Sequence, residues 1–202
     1  MKFKEVGFRA FYHRFVAIPL KENLKKLIEN FPGAEEANYI LAYGYIDHTA
    51  GLTLEVIAAA VKSEGGFSFK ATNPSLSSKI RISNIEDDEV FYFDEEDLKE
   101  HYAYKLDLLE NYNVSKEIER SRNLEVLDRF RSQEFPDDVF VYMIKDGNNI
   151  EKCCVRIEGL SDPKIFGILL NEPEQDFSCH KGDSVEFIIH QTKEGELIPI
   201  LN

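Results

Sequence analysis

The residues of this sequence whose types suit chemistry best lie close together in its last third. Cys179 and His180 are adjacent, and Asn171, Glu172 and Asp183 lie within nine residues of them. A cysteine thiolate becomes an effective nucleophile when a neighbouring base or cation lowers its pKa. Adjacent side chains on an extended strand point to opposite faces, so adjacency alone does not make Cys179 and His180 a catalytic pair. We therefore predict these five residues as binding residues and predict no catalytic residue.

The sequence lacks the patterns that hold metal ions and nucleotides. Its three cysteines, Cys153, Cys154 and Cys179, contain no C-x2-C pair, and the five histidines contain no H-x3-H pair, so no zinc site is predicted. The odd number of cysteines predicts reduced thiols. The acidic runs lack the alternating ligands and central glycine of a calcium loop, and no phosphate-binding glycine motif occurs. No metal ion and no cofactor is predicted.

The net charge of −13 on 202 residues argues against a nucleic-acid partner, because phosphates are neutralised by a basic surface. The acidic excess is concentrated in two segments: residues 84–110 carry two basic and eleven acidic side chains, and residues 134–202 carry six and fourteen. Such surfaces favour a basic partner protein. No segment reaches the roughly 18 apolar residues of a membrane span. The first residues also lack the apolar stretch of a signal peptide. These patterns predict a soluble, cytoplasmic protein without a membrane partner, present as a monomer or a homodimer.

Hydrophobic periodicity predicts an N-terminal antiparallel sheet with helices over residues 1–133. Runs rich in aromatic and β-branched residues predict strands, and apolar residues at helical spacing predict a first helix over 20–31. Two central helices follow, the first capped by Asp94, the second beginning at Ser115 and reaching about Arg131. The acidic first turn after Asp94 is favoured by the helix dipole. The predicted strands are 8–18, 39–46, 52–57 and 67–70, with a short one at 79–82.

The pattern changes after residue 133. Four β-rich runs separated by turn residues, and a possible fifth, predict a small, strongly curved antiparallel sheet or barrel. These runs are 139–144, 153–157, 165–170, 185–189 and 197–201. The whole chain is therefore predicted to be α+β, with an N-terminal section at 1–133 and a β-rich section at 134–202.

The turn between the last long strands has a physical interpretation. Gly167, inside an apolar run, predicts a bulge or a close approach of two backbones. Pro173 ends the strand sharply, and Gly182 is predicted to adopt a positive φ. Asn171 and Asp183 are expected to accept hydrogen bonds from nearby backbone N–H groups.

The same segment carries a family resemblance. Phe166-Gly-Ile-Leu-Leu-Asn-Glu-Pro173, followed by His180-Lys-Gly-Asp-Ser-Val-Glu-Phe187, resembles the YegJ-like bacterial domains of unknown function. Those domains share a G-x-L-x-N-[D/E]-P strand exit and a K-G-D-x-V turn. The resemblance covers about a third of the chain and implies a small α+β or β-rich module, sometimes found beside toxin-immunity modules. It brings no established catalytic residues, and residues 1–135 resemble no family.

Charge, motifs and resemblance together predict a non-enzymatic, acidic protein-binding module of the immunity or accessory type. The alternative is a small-ligand-binding protein or an enzyme with a pocket between the two sections, near residues 171–183. A binding face formed by tyrosines is a further alternative. Tyrosine is enriched at recognition surfaces, although most tyrosine rings lie in cores. The tyrosines concerned are Tyr39, Tyr43, Tyr45, Tyr92, Tyr102, Tyr104, Tyr112 and Tyr142.

Overall fold

Strands dominate both halves of the chain, and the predicted α+β class is confirmed. The computed structural model describes residues 2–73, 75–85, 87–93, 96–145 and 149–201. The chain divides into two units, residues 1–113 and 114–202, each with its own hydrophobic core. In the described ranges, no helix is long and apolar enough to cross a membrane.

The first unit is built on an antiparallel sheet with the strand order β4-β3-β2-β1-β6, and β5 also pairs with β3. Single 3-10 turns occur at Phe8–Ala10, Ile82–Asn84 and Leu108–Tyr112. The elements are α1 (Phe3–Val6), β1 (Phe15–Pro19), α2 (Glu22–Ile28), β2 (Tyr39–Asp47), β3 (Gly51–Ser63), β4 (Gly66–Phe69), β5 (Lys79–Arg81), β6 (Phe91–Phe93), α3 (Glu96–His101) and α4 (Ala103–Asp107).

Both faces of this sheet are covered, which explains the long apolar run in β3. Val16 and Ala42 lie in the core on one face, together with Leu24 of α2. Phe15 and Leu41 lie on the opposite face, where α3 and the residues after it pack. Alternate residues of β1 and β2 therefore enter different cores.

The first strand prediction differs from the structure. Residues 8–18 read as one strand, but the chain forms a 3-10 turn at Phe8–Ala10, and β1 begins at Phe15. The reason is a close crossing of the backbone over the sheet: a Cβ atom on Gly44 would lie 2.0 Å from the carbonyl oxygen of Phe11. The aromatic residues Phe8 and Phe11 therefore pack into the core from a turn that precedes β1, and not from the strand itself.

The sheet curls until its two edge strands meet through their side chains. The rings of Phe67 and Phe69 in β4 lie 5.2 Å, centroid to centroid, from the ring of Phe93 in β6, and Phe67 lies 5.3 Å from Phe91. Such T-shaped and tilted contacts are the favoured arrangement of aromatic pairs. Aromatic packing rather than a backbone ladder therefore brings the two edges together.

The second unit is a closed barrel with the strand order β10-β11-β7-β8-β9, which confirms the barrel prediction. Neighbouring strands are antiparallel except β11 and β7, because the first and fifth strands of an up-and-down series run in the same direction. Its elements are α5 (Lys116–Arg122), a 3-10 helix (Glu125–Phe130), β7 (Asp138–Lys145), β8 (Asn149–Ser161), β9 (Lys164–Leu169), β10 (Ser184–Gln191) and β11 (Leu197–Leu201).

The division between the units falls twenty residues before the sequence-based boundary at 133/134. Segment 114–133 packs with the barrel, since Leu127 is buried in the barrel core and Arg122 binds Asp137. The predicted cap is present, with the Ser115 hydroxyl accepting a hydrogen bond from the N–H of Ile118 at 3.2 Å. The α-helix ends at Arg122, however, and the chain continues as a 3-10 helix.

The two glycine predictions in the barrel are confirmed. A Cβ atom on Gly167 would lie 2.3 Å from the carbonyl oxygen of Arg156, so β9 requires glycine where it passes β8. Gly182 has a φ of +95°, in the left-handed region that favours glycine.

Candidate functional site

The five predicted binding residues lie together in the loop that joins β9 to β10. Asn171 accepts a hydrogen bond from the N–H of Cys154 at 2.7 Å, across the sheet rather than locally. Asp183 accepts one from the N–H of His180 at 2.8 Å. Glu172 accepts one from the N–H of Lys181 at 2.9 Å, and its other oxygen lies 2.7 Å from Nδ1 of His180. These polar groups are used to fold the loop.

A carboxylate outside the predicted set completes this loop. Glu151 of β8 accepts hydrogen bonds from the N–H groups of Glu174 at 2.7 Å and Gln175 at 3.1 Å. Sequence reasoning missed it because its partners lie more than twenty residues away. The loop is therefore fastened to the neighbouring strand at both Asn171 and Glu151.

The thiols near this loop are not activated. Cys179 packs against the barrel core, and burial raises its pKa from the ordinary value. Burial also raises the pKa of Cys153, and that of Cys154 to about 11. A nucleophilic cysteine needs the opposite shift. In the described segments, no group of three His, Cys, Asp or Glu side chains is placed to hold a metal ion.

The Glu172–His180 pair has a testable pH dependence. The hydrogen bond that the His180 ring donates to Glu172 raises the pKa of His180 above 6.5, and the same contact lowers the pKa of Glu172 below 4.5. The stability that His180 contributes through this contact is complete below the pKa of the unfolded histidine and is lost as the pH rises through its folded pKa. The stability that Glu172 contributes is present above the pKa of the unfolded glutamate and is lost as the pH falls through its folded pKa. The pair is therefore expected to hold the loop best between about pH 4.5 and 6.5.

NMR titration of the histidine ring protons measures this directly. The pKa of His180 is expected above 6.5 in the natural protein and close to 6.5 in the Glu172→Gln variant. An unchanged His180 curve in the variant would show that the contact does not persist in solution.

A hollow of about 190 Å³ lies beside the loop. This volume is below the roughly 300–1,000 Å³ of common ligand pockets, and none of the five predicted residues lines the hollow. The lining residues are Met143, Ile144, Lys145, Phe177, Ser178 and Leu201. The hollow therefore gives little support to the small-ligand alternative.

Much of the barrel's negative charge is neutralised within the unit. Asp137 and Asp138 are buried, and each binds an arginine. Asp162 pairs with Arg120 at 2.8 Å, and Glu186 pairs with a lysine of β9 at 2.6 Å. These four of the fourteen acidic side chains of residues 134–202 therefore already bind a cation within the unit.

Helices α3 and α4 and the 3-10 turn after them present a different surface. Leu98 and Tyr102 face the sheet core. The opposite side exposes Tyr104, 38% accessible, and Leu108, 53% accessible, among carboxylates. We call this surface the acidic helical face, and its residues are Asp97, Glu100, Tyr104, Asp107, Leu108 and Glu110. The predicted cap Asp94 lies outside the described residues.

The carboxylates of the acidic helical face are available for an external cation. Within the part of the chain that the structure describes, Asp97, Glu100, Asp107 and Glu110 have no ion-pair partner. Glu96, at the start of α3, differs because it pairs with Lys99 at 2.8 Å. The face therefore combines unneutralised negative charge with exposed apolar side chains.

A buried ion pair fixes this face to the sheet. Lys105 is 1% exposed, and its ammonium lies 3.3 Å from Oε1 of Glu55 and donates to the carbonyl of Leu76. The Tyr102 hydroxyl donates to the carbonyl of Lys70 at 3.1 Å. The sequence signal for this anchor was Glu55, a charged residue within the apolar run of β3.

Comparison with known proteins returns no relative: no protein-family model, no curated protein and no solved structure matches the chain. The likeness of residues 166–187 to the YegJ-like domains therefore stays a prediction.

Proposed function

We propose that this protein is a non-enzymatic binding module, of the immunity or accessory type, that engages a basic partner protein through the acidic helical face. The observation that carries the proposal is the exposure of Tyr104 and Leu108 among four carboxylates that lack an internal cation. A partner with Lys or Arg side chains around an apolar pocket complements this arrangement.

The spacing of the apolar residues suits helix-mediated recognition. Tyr104 and Leu108 are four residues apart, so they lie on the same side of the helical segment. Tyrosine is enriched among residues that dominate binding energy, and surrounding polar groups limit access of water to such anchors. Tyr104 and Leu108 would supply most of the affinity, and the carboxylates would accelerate association.

The rigid attachment of the face also supports this role. Lys105, on the inner side of α4, is held by Glu55, and Leu98 and Tyr102 are buried. A surface that is ordered before binding loses less conformational entropy on association.

The partner can be identified by placing a photo-crosslinking amino acid at position 104 and, as a control, at position 194 of the barrel. The partner recovered only from position 104 is expected to be basic. It is then purified, and its association and dissociation rates are measured at low and moderate salt. Recovery of an acidic partner would contradict the proposal.

Neutralising the face provides the quantitative test. The variant Asp97→Asn/Glu100→Gln/Asp107→Asn/Glu110→Gln is expected to slow association with that partner about tenfold at low salt. Its matched control changes the same number of exposed barrel carboxylates to glutamine, at Glu125, Glu134, Glu194 and Glu196. Leu108→Ala should mainly speed dissociation, because it removes an apolar contact. Equal slowing by both charge variants would show that net charge alone, and not this face, drives binding.

A further inference from the structure

Three aromatic rings from three strands lie close to one lysine ammonium in the first unit. The Nζ atom of Lys62 lies 3.7 Å from the ring centroid of Phe91 and 5.6 Å from those of Tyr39 and Phe67. The ring of Tyr39 stands at 89° to Phe67 and at 70° to Phe91, so the rings form walls rather than a stack. We call Tyr39, Phe67 and Phe91 the aromatic cage.

The curl of the sheet builds this cage. Tyr39 lies in β2, and Phe67 and Phe91 lie in the two edge strands, which meet only because the sheet curls. Phe93 packs against the cage, with its ring centroid 5.2 Å from that of Phe67. The cage is therefore a product of the tertiary fold.

The position of the lysine backbone does not depend on the ammonium. The side chain of Asn38 accepts a hydrogen bond from the Lys62 N–H at 2.7 Å and donates one to the Lys62 carbonyl at 3.0 Å. These two bonds hold β3 at the cage whatever the lysine side chain does. A change at Lys62 is thus expected to leave the rings in place.

The ammonium is held by the rings and not by a carboxylate. Among the residues that the structure describes, Lys62 has no ion-pair partner. The lysine and the three rings are all half-buried, so solvent reaches the cage. A primary ammonium is strongly hydrated, with three N–H donors that the ring faces satisfy poorly. A quaternary ammonium has no N–H donor, and aromatic cages are the sites that proteins use to recognise it.

We propose that the aromatic cage binds a quaternary ammonium group and that Lys62 is the resident cation that this ligand displaces. Displacement exchanges one cation for another, so the charge of the site is conserved. The exchange also returns the lysine ammonium to water, where it is fully hydrated. The site is independent of the acidic helical face.

The first test is a titration of the natural protein with choline, monitored through the NMR signals of the Phe and Tyr ring protons. Its neutral isostere, 3,3-dimethyl-1-butanol, has the same shape without the charge. Choline is expected to shift the cage resonances in a saturable manner, and the alcohol is expected to bind at least tenfold more weakly. Equal binding of the two ligands would overturn the proposal, because the site would then be merely apolar, and so would the absence of choline binding.

Two variants test the roles of the lysine and the rings. Lys62→Met keeps an unbranched side chain without the charge and is expected to bind choline about two- to fivefold more tightly, as removal of an exposed cation–π competitor implies. Phe91→Leu, which keeps the site apolar, is expected to weaken binding more than fivefold. The circular dichroism spectrum and the undisturbed barrel resonances report whether each variant is folded. Unchanged affinity in the folded Lys62→Met variant would overturn the role assigned to Lys62.

A parallel titration with Nε-trimethyllysine, with lysine as its control, distinguishes the source of the group. Tighter binding of choline identifies a small molecule as the ligand class, and tighter binding of trimethyllysine identifies a methylated side chain. Both results support the cage, whereas binding of unmodified lysine as tightly as trimethyllysine would overturn it.

Discussion

Replacing Asp137 with alanine is expected to lower the free energy of unfolding of the barrel unit by about 3–5 kcal/mol, because the buried Arg122 guanidinium loses the carboxylate that binds it through two hydrogen bonds. Asp137 and Arg122 are each 2% exposed. The guanidinium donates from Nε at 2.9 Å and from Nη2 at 2.7 Å to the two carboxylate oxygens. Without the carboxylate, the buried guanidinium would lose both of these bonds, and the carboxylate of Glu119, 3.3 Å from its Nη1, is 40% exposed to solvent.

Hydrogen exchange of the full chain is the appropriate measurement, because a protein of two units need not unfold in one step. Protection should fall in β7 and β8 of the Asp137→Ala variant and remain unchanged in residues 2–73. The control is Asp162→Ala, which removes the exposed Asp162–Arg120 pair and should cost less than about 1 kcal/mol. Similar losses in both variants would show that burial does not strengthen the Arg122–Asp137 interaction.

Replacing Lys105 with methionine is expected to destabilise the first unit by a similar amount, about 3–5 kcal/mol, because Glu55 then lies buried without a cation. Both side chains are at most 4% exposed. Ser77 donates a hydrogen bond to Glu55 at 3.2 Å, but a neutral hydroxyl does not replace the lost charge. Exchange protection should fall in β3 and in the helices of the acidic helical face.

The double variant Lys105→Met/Glu55→Leu separates the charge effect from the packing effect. It is expected to recover most of the lost stability, since apolar pairs of similar size often replace buried ion pairs at little cost. Lys99→Met, which removes the exposed pair with Glu96, is the matched control and should cost less than about 1 kcal/mol. Failure of the double variant to recover any stability would assign the loss to packing instead.

The barrel could be predicted because the sequence patterns that specify its strands and turns are local. Each strand is a short apolar run between turn residues, and glycines at 167 and 182 mark the backbone approach and the turn that the structure contains. The Ser115 cap was equally visible, since it depends on a bond to a residue three positions away. The end of the first unit could not be predicted, because it depends on the core into which Leu127 packs, and that is a tertiary contact.

The candidate surfaces required tertiary information. Glu55 and Lys105 are fifty residues apart, so the sequence shows a charged residue in an apolar run without showing its partner. The aromatic cage depends on contact between the two edges of one sheet, which strand patterns do not encode. Alternating phenylalanines at 67 and 69, and at 91 and 93, were the only visible signal.

The barrel is closed by β11, which among the described residues up to 201 pairs with β10 at five positions and with β7 at two, Ile200 with Tyr142 and Leu201 with Met143. We expect the cylinder to open at this seam, and opening it would uncover the unpaired edges of two strands. An identical molecule offers a matching edge to each of them. The seam is therefore where strand exchange between copies, and association under destabilising conditions, would begin.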